Sequence, residues 1–160
     1  MNTDVVLNLP GSSLQVLQAS WRDLASLREL EQVCFPVDAW PLLDMIGVLT
    51  LPQVIRYKAL EAQKFVGFVA GDIRQSQKIG WIATICVHPD YRGKGIGAAL
   101  LKLCEEKMGM PKIKLSVREG NQAAIDLYKR NGYLQIGEWK KYYKGGENAV
   151  VMEKMIEKSN

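Results

Sequence analysis

The sequence is poor in the residues that build metal centres and disulfide scaffolds, with one histidine, His88, and three cysteines in 160 residues. Cys34, Cys86 and Cys104 are odd in number, far apart along the chain and set in apolar contexts. They predict neither a disulfide framework nor a metal site, and they fit a reducing cytoplasm. A strong charge of either sign is also missing, the formal net charge being +4. That excess is too small and too dispersed to point to nucleic acid, although it helps attract a polyanionic small molecule. No apolar run approaches membrane-spanning length. Met1 to Leu9 has no basic leader and carries Asp4, so neither a membrane segment nor a signal peptide is expected. Repeats and low-complexity tracts are absent too. What remains is the composition of one soluble domain over residues 1–160, 48% hydrophobic and 24% charged, enough for a single sizeable core. Pro10-Gly11-Ser12-Ser13 punctuates its start, which makes residues 1–12 a loose tail or a weak edge strand.

The centre of the chain carries the strongest local pattern. Ile82 to Val87 is a short apolar run without alternation, as expected of a strand covered on both faces, and Pro89-Asp90 ends it. Arg92-Gly93-Lys94-Gly95-Ile96-Gly97-Ala98 then leads into a helix whose apolar positions from Ile96 are Leu100, Leu103 and Cys104, with Lys102, Glu105 and Glu106 as polar positions. A glycine loop at a helix N-terminus suits a phosphate group, because the first backbone N–H groups lack intrahelical partners and the helix dipole favours negative charge. The same glycines would also serve a tight strand-to-helix connection with no ligand. A Walker loop is excluded, since His88 stands where its first Gly belongs and Gly95 follows Lys94. The dinucleotide fingerprint matches formally at Gly93, Gly95 and Ala98, with Glu119 downstream. It starts too far beyond the strand, however, and past mid-chain.

Periodicity places the other elements. Leu14 to Gln18 alternates as a strand, and Ser20 caps a helix to about Phe35 with apolar positions Trp21, Leu24, Leu27, Leu30 and Val33. Leu42 to Leu49 is a second short helix. Val54 to Leu60 and Phe65 to Ile73 form a hairpin around Gln63, and Ile79 begins the central strand. Beyond Pro111, Ile113 to Val117 is a strand, Asn121 caps a helix through Tyr128, and Asn131-Gly132 stops it. Tyr133 to Lys140 and Ala149 to Ile156 are the last strands. The order β-α-α-β-β-β-α-β-α-β-β implies a mixed α/β (α+β) sheet with antiparallel hairpins at both ends.

Val87, Pro89 and Tyr91 followed by Arg92, Gly95 and Gly97 give Val-x-Pro-x-Tyr-Arg-x-x-Gly-x-Gly. Here the chain resembles the GNAT acetyltransferase superfamily, most closely its ribosomal-protein alanine N-acetyltransferase branch. The resemblance runs from about Leu14 to Ile156 and is strongest from Trp81 to Tyr133. It implies a mostly antiparallel sheet of about seven strands with a splayed parallel pair and four helices. It implies acetyl-CoA as cosubstrate, held by the backbone of Ile85, Cys86 and Val87, by the loop Arg92, Gly93, Lys94, Gly95, Ile96, Gly97 and Ala98, and by Asn121. No metal is needed, since the thioester is already activated.

Asn121-Gln-Ala-Ala-Ile-Asp-Leu-Tyr128-Lys-Arg-Asn-Gly-Tyr133 is similar to the family's Asn-x-x-Ala-x-x-x-Tyr-x-x-x-Gly-Phe/Tyr segment, whose first Tyr sits near the thioester sulfur. Tyr128 is therefore the expected proton donor to the leaving thiolate, a phenol of pKa near ~10 being protonated at working pH. Many family members carry a Glu on the strand that is here Ile113 to Val117. Ser116 occupies the corresponding place, where it can hold a relay water but cannot accept a proton well. His88 has a suitable pKa but reads as a surface turn residue. A weak base favours α-amines, because about a third of an amine with pKa ~7.8 but only ~0.1% of a lysine with pKa ~10.4 is neutral at pH ~7.5. Tyr142-Tyr143-Lys-Gly-Gly-Glu-Asn-Ala is similar to the substrate hairpin of N-terminal acetyltransferases, and Phe35, Pro36 and Trp40 to the loop that faces it. The expected activity is acetyl transfer to a primary amine by direct attack, with a peptide N-terminus as acceptor and a monomer or homodimer as the acting form. A small-molecule amine acetyltransferase and a non-catalytic acyl-CoA-binding module are the alternatives.

Overall fold

A computed structural model describes residues 11–158, and most of the expected loose tail lies outside them. The chain runs β1 (Leu14–Gln18), α1 (Leu24–Cys34), α2 (Leu42–Thr50), β2 (Val54–Glu61), β3 (Lys64–Arg74), β4 (Ile79–Val87), α3 (Ile96–Met108), β5 (Lys112–Arg118), α4 (Gln122–Arg130), β6 (Leu134–Trp139) and β7 (Ala149–Met155). The seven strands form one sheet in the order β1-β2-β3-β4-β5-β7-β6. Every neighbouring pair is antiparallel except β4 and β5. This is the mixed sheet and four-helix count expected from the sequence. Among the described residues no helix is long and apolar enough to cross a membrane.

The first helix ends where its sequence reading placed it, at Cys34 with Phe35 as its cap, and differs at its start. Ser20 does cap, through a capping box with Asp23, but the segment it caps is a single 3-10 turn, Trp21–Asp23, and α1 follows from Leu24. Only Leu27 and Leu30 of the expected apolar stripe are buried, while Trp21 and Val33 are exposed. The 3-10 turn advances fewer residues per turn than an α-helix, which puts Trp21 out of phase with the buried face. At the β2–β3 hairpin Ala62 and Gln63 both take positive φ, as a two-residue turn between twisted strands requires.

The helices cover the sheet unevenly. α3 and α4 bury one apolar cluster against the face carrying Val69, Ile82, Leu115 and Val150. α1 and α2 bury another against Val54, Phe68, Ala70 and Cys86 on the opposite face. The C-terminal end of α3 lies so close to β3 that a Cβ on Gly71 would meet Met108 Sδ at 2.4 Å and Cys104 Sγ at 2.8 Å. Glu105, read from the sequence as a polar surface position, is instead buried, accepting from the Tyr133 hydroxyl at 2.8 Å and from Lys154 Nζ at 2.9 Å. Its charge is tolerated because both oxygens are satisfied. Tyr133→Phe is expected to lower stability by about 1–2 kcal/mol, read as a shift of the urea midpoint at unchanged slope, because it removes one donor from a buried carboxylate.

The feature that positions the site is the parting of β4 from β5. They pair only over Ile79–Trp81 and Lys112–Lys114. Ala70 of β3 stands opposite Thr84 and Gly71 opposite Ile82, so Ala83 is an extra residue in β4. A bulge bends and twists its strand, and beyond it Ile85 to Val87 diverge from Ser116 to Arg118.

Candidate active site

A cleft of about 970 Å³ opens through this parting. One wall is Ile85, Cys86 and Val87 of β4; the other is the inner face of α4 with Ala124, Leu127 and Tyr128. The divergence leaves the β5-facing peptide groups of residues 85–87 without a strand partner, since no ladder joins them to β5.

At one mouth the glycine loop enters α3. Gly93 and Gly95 have φ of +79° and +82°, and a Cβ on either would meet nothing within 4 Å. The loop is an open backbone cradle at a helix N-terminus. Gly97 and Ala98 also line the cleft, whereas the Ile96 side chain is buried in the core, so Ile96 faces a ligand through its amide alone. The Arg92 side chain folds back, its Nε donating to the Val87 carbonyl at 2.9 Å. Lys94 does not line the cleft and stands over the Tyr91 ring at 5.2 Å. Asn121 lines the cleft next to Gly120, its backbone N–H donating to the Arg118 carbonyl at 3.0 Å, and it caps α4, its side chain accepting from the Ala124 N–H at 3.2 Å.

Tyr128 lies at the centre, 6% exposed, its ring edge-on to Tyr133 at 5.8 Å. Among the described residues its hydroxyl has no hydrogen-bond partner, and burial, reinforced by Tyr143 and Cys86, holds its pKa well above the usual phenol value. Cys34 and Cys86, distant in sequence, meet on the cleft wall. Cys34 Sγ donates to the Val87 carbonyl at 3.4 Å, and the hydrogen bond to Cys86, with Arg92 nearby, lowers its pKa. His88 takes no part, its Nδ1 accepting from the Asp90 N–H in the turn that starts at Pro89.

The opposite mouth holds groups that sequence reading missed. Arg118, at the end of β5, pairs with Asp38 of the α1–α2 loop and with Glu147 of the β6–β7 connection, and its guanidinium covers the Tyr143 ring at 4.8 Å. Arg118 and the N–H of Gly120 hold the Glu147 carboxyl below its ordinary pKa. Phe35 and Pro36 line this side, while Trp40 packs against the α1–α2 core. Ser116 does not line the cleft; its Oγ accepts from the Tyr143 hydroxyl at 3.5 Å. Tyr142 lies farther out, in a second groove of about 500 Å³ with Trp81, Trp139, Arg74 and Lys114. Its ring joins a continuous ladder, Trp81–Trp139–Tyr142–Tyr143, with centroid spacings of 5.9, 5.0 and 5.0 Å. Opposite charges on two loops and a strand end, far apart in sequence, give no signal of their meeting. Glu147 stood within the quoted hairpin and Asp38 between Pro36 and Trp40, which was the only hint.

The sequence profile of the Acetyltransferase (GNAT) family matches residues 24–133. The chain belongs to the GNAT acetyltransferase family. It is 32% identical over 139 residues to an uncharacterised N-acetyltransferase of Methanocaldococcus jannaschii, covering 84% of this chain and 87% of that one. Among solved structures, the ribosomal-protein-S18-alanine N-acetyltransferase of Escherichia coli superposes with a TM-score of 0.82 at 23% identity, over 92% of this chain and 96% of that one. Arabidopsis thaliana NAA60, solved with a bisubstrate analogue, gives 0.79 at 20% identity over 92% and 100%. At such identities these likenesses establish the fold. The family match makes the chain an N-acetyltransferase.

Proposed function

We propose that this enzyme moves the acetyl group of acetyl-CoA directly onto the N-terminal α-amine of a polypeptide. The observation that carries the reading is a cleft that passes between parted strands, with a phosphate cradle at one mouth and ion-paired, aromatic-lined loops at the other. The amides of residues 93–98 at the start of α3 would hold the diphosphate, with Arg92 and Lys94 adding charge. The edge of Ile85, Cys86 and Val87 that faces away from β3, apart from the Val87 carbonyl already held by Arg92 and Cys34, would satisfy the pantetheine amides, whose burial otherwise costs free energy. Asn121, on the cleft lining beside Gly120, would add a further polar contact to the cosubstrate.

The neutral amine attacks the thioester carbonyl from the Arg118 side. A C–N bond forms, the C–S bond breaks, and the departing thiolate takes the proton of Tyr128, which burial keeps protonated until then and which at once regains a proton from solvent, matching the one the amine releases. The amine proton leaves to solvent; Ser116, expected to hold a relay water, is turned to the Tyr143 hydroxyl away from the cleft lining and takes no part in this reading. Asp38 and Glu147 are the carboxylates on this side, both engaged by Arg118, and the pairing holds Glu147 below its ordinary pKa, which makes it a weak proton acceptor. A site without a strong base favours an amine already partly neutral, hence an α-amine over a lysine side chain.

The aromatic ladder supports a polypeptide acceptor over a small amine. A small amine needs only the cleft, whereas the rings lead away from Arg118 along the exposed sheet face beyond α1 and α2. Flat apolar rings with polar edges suit an extended backbone. Peptides starting with Ala or Ser are expected to be acetylated on the α-amine faster than free amino acids or polyamines. Replacing Tyr142 and Tyr143 together by Ala is expected to lower kcat/KM for peptide by on the order of 1–3 kcal/mol, with acetyl-CoA affinity unchanged. Free-thiol release with a panel of amines and mass spectrometry of the products make the test. Acetylation confined to lysine side chains or to polyamines overturns the α-amine reading and leaves the acetyltransferase standing.

A further inference from the structure

The carboxyl group of Glu31 takes no part in the chemistry above, yet it is placed where the site is shaped. It lies on α1 at 1% exposure. Its Oε1 accepts from Thr84 Oγ1 on β4 at 3.2 Å, the Trp40 backbone amide lies beside it, and Oε2 has no partner among the described residues. Thr84 is the first residue after the Ala83 bulge, where β4 turns away from β5. Trp40 stands at the far end of the loop that α1 feeds, the loop carrying Phe35, Pro36 and Asp38 to the Arg118 mouth. One carboxyl group therefore spans the cleft's loop wall and the bend that opens the cleft.

An unpartnered carboxylate oxygen in a core costs free energy that an apolar side chain of similar volume would avoid, so its effect is on arrangement and not on stability. The titratable groups facing it are Cys34 on its own helix and Cys86 on β4, with Arg92 acting on both thiols. α2 and β3 present Met45, Val48, Phe68 and Ala70, none of which titrates. Burial raises the Glu31 pKa to about 7, against the lowering by Thr84 and the Trp40 amide. Both protonation states are therefore populated near neutrality.

We propose that Glu31 is a positioning residue for the amine half of the site: its carboxylate draws the Phe35–Trp40 loop against the bend of β4, and neutralising it lets that wall relax. The role rests on the reading of this loop as the amine wall.

The test compares wild type with Glu31→Gln on an Ala-initiated peptide from pH ~6 to ~8.5; the ratio of the two removes the titration of the peptide amine, common to both. The peptide KM values should agree at the acid end. At the alkaline end the variant's KM should be about five- to tenfold higher, the size of one charge-assisted hydrogen bond, with acetyl-CoA affinity unchanged. A ratio that does not change with pH overturns the proposal. Thr84→Val keeps the acid and removes its donor, so it should move the wild-type midpoint to higher pH; this arm serves if Glu31→Gln folds poorly, and an unmoved midpoint counts against the role. Hydrogen exchange at the Trp40 amide needs no substrate. Its protection factor should rise through neutral pH in wild type and stay flat in Glu31→Gln, and a flat profile in both overturns the proposal. A wild type that acetylates no peptide sinks the α-amine reading, whereas a flat Trp40 profile sinks the role of Glu31, so the two failures are told apart.

Discussion

Gly95→Trp is expected to abolish acetyl-CoA binding, by on the order of 10²-fold or more, in a domain that still folds. The two halves of that expectation have separate physical grounds. Binding fails because the position adjoins the first free amides of α3 and an added Cβ points into open cleft space, with nothing within 4 Å. An indole there fills the volume a diphosphate needs and screens the amides that would bind it. Folding survives because the same openness means no packed neighbour is displaced. The φ of +82° costs an L-residue about 1–2 kcal/mol, against a typical domain stability of about 5–15 kcal/mol. Gly97 is a less clean probe, since its Cβ would already stand 3.4 Å from Leu127 Cδ2 and 3.8 Å from Val87 Cγ2, wedging the two cleft walls. Calorimetric titration decides the matter: wild-type affinity in a folded Gly95→Trp variant removes the loop from the cosubstrate site. CoA should compete with acetyl-CoA, and a nicotinamide dinucleotide should not.

Tyr128→Phe should lower kcat by roughly 10²- to 10⁴-fold with acetyl-CoA affinity nearly unchanged. The substitution keeps the ring that packs edge-on to Tyr133 and deletes a hydroxyl that holds no hydrogen bond among the described residues, so stability should change little. What is lost is the proton that meets the departing thiolate. Stopped-flow measurement of thiol release in the first turnover reads the chemical step apart from product release. A Phe variant with an unchanged first-turnover rate returns Tyr128 to core packing. The elevated pKa adds a check: no loss of wild-type activity from ionisation of this phenol is expected below pH ~10.

Local chemistry made much of the fold legible. Ser20 as a cap, the hairpin around Gln63, the start of α3 at Ile96 and the run of β4 depend on residues close in sequence, so the pattern of those residues was enough. The exceptions are instructive. Trp21 was read as core because a continuous helix was assumed, and the 3-10 turn rotated it outward. Glu105 was read as surface because a carboxylate usually is; the partners that allow its burial, Tyr133 and Lys154, are 28 and 49 residues away.

The candidate site divides along the same line. The sequence by itself determined the family, the glycine loop and the Tyr128 segment, because each is a contiguous string whose geometry follows from local rules: glycine at positive φ, free amides at a helix start, a side chain on one face of a capped helix. Only the tertiary structure decided what stands across from them. The bulge at Ala83 parts β4 from β5 through a register shift against a third strand. The tertiary arrangement brings Asp38 and Glu147 from two loops to Arg118 at the end of β5, sets Cys34 against Cys86, and carries Ser116 to the Tyr143 side, away from the cleft lining. Charge pairing across such distances depends on how the sheet bends, and the bend is a property of paired strands that no single segment encodes.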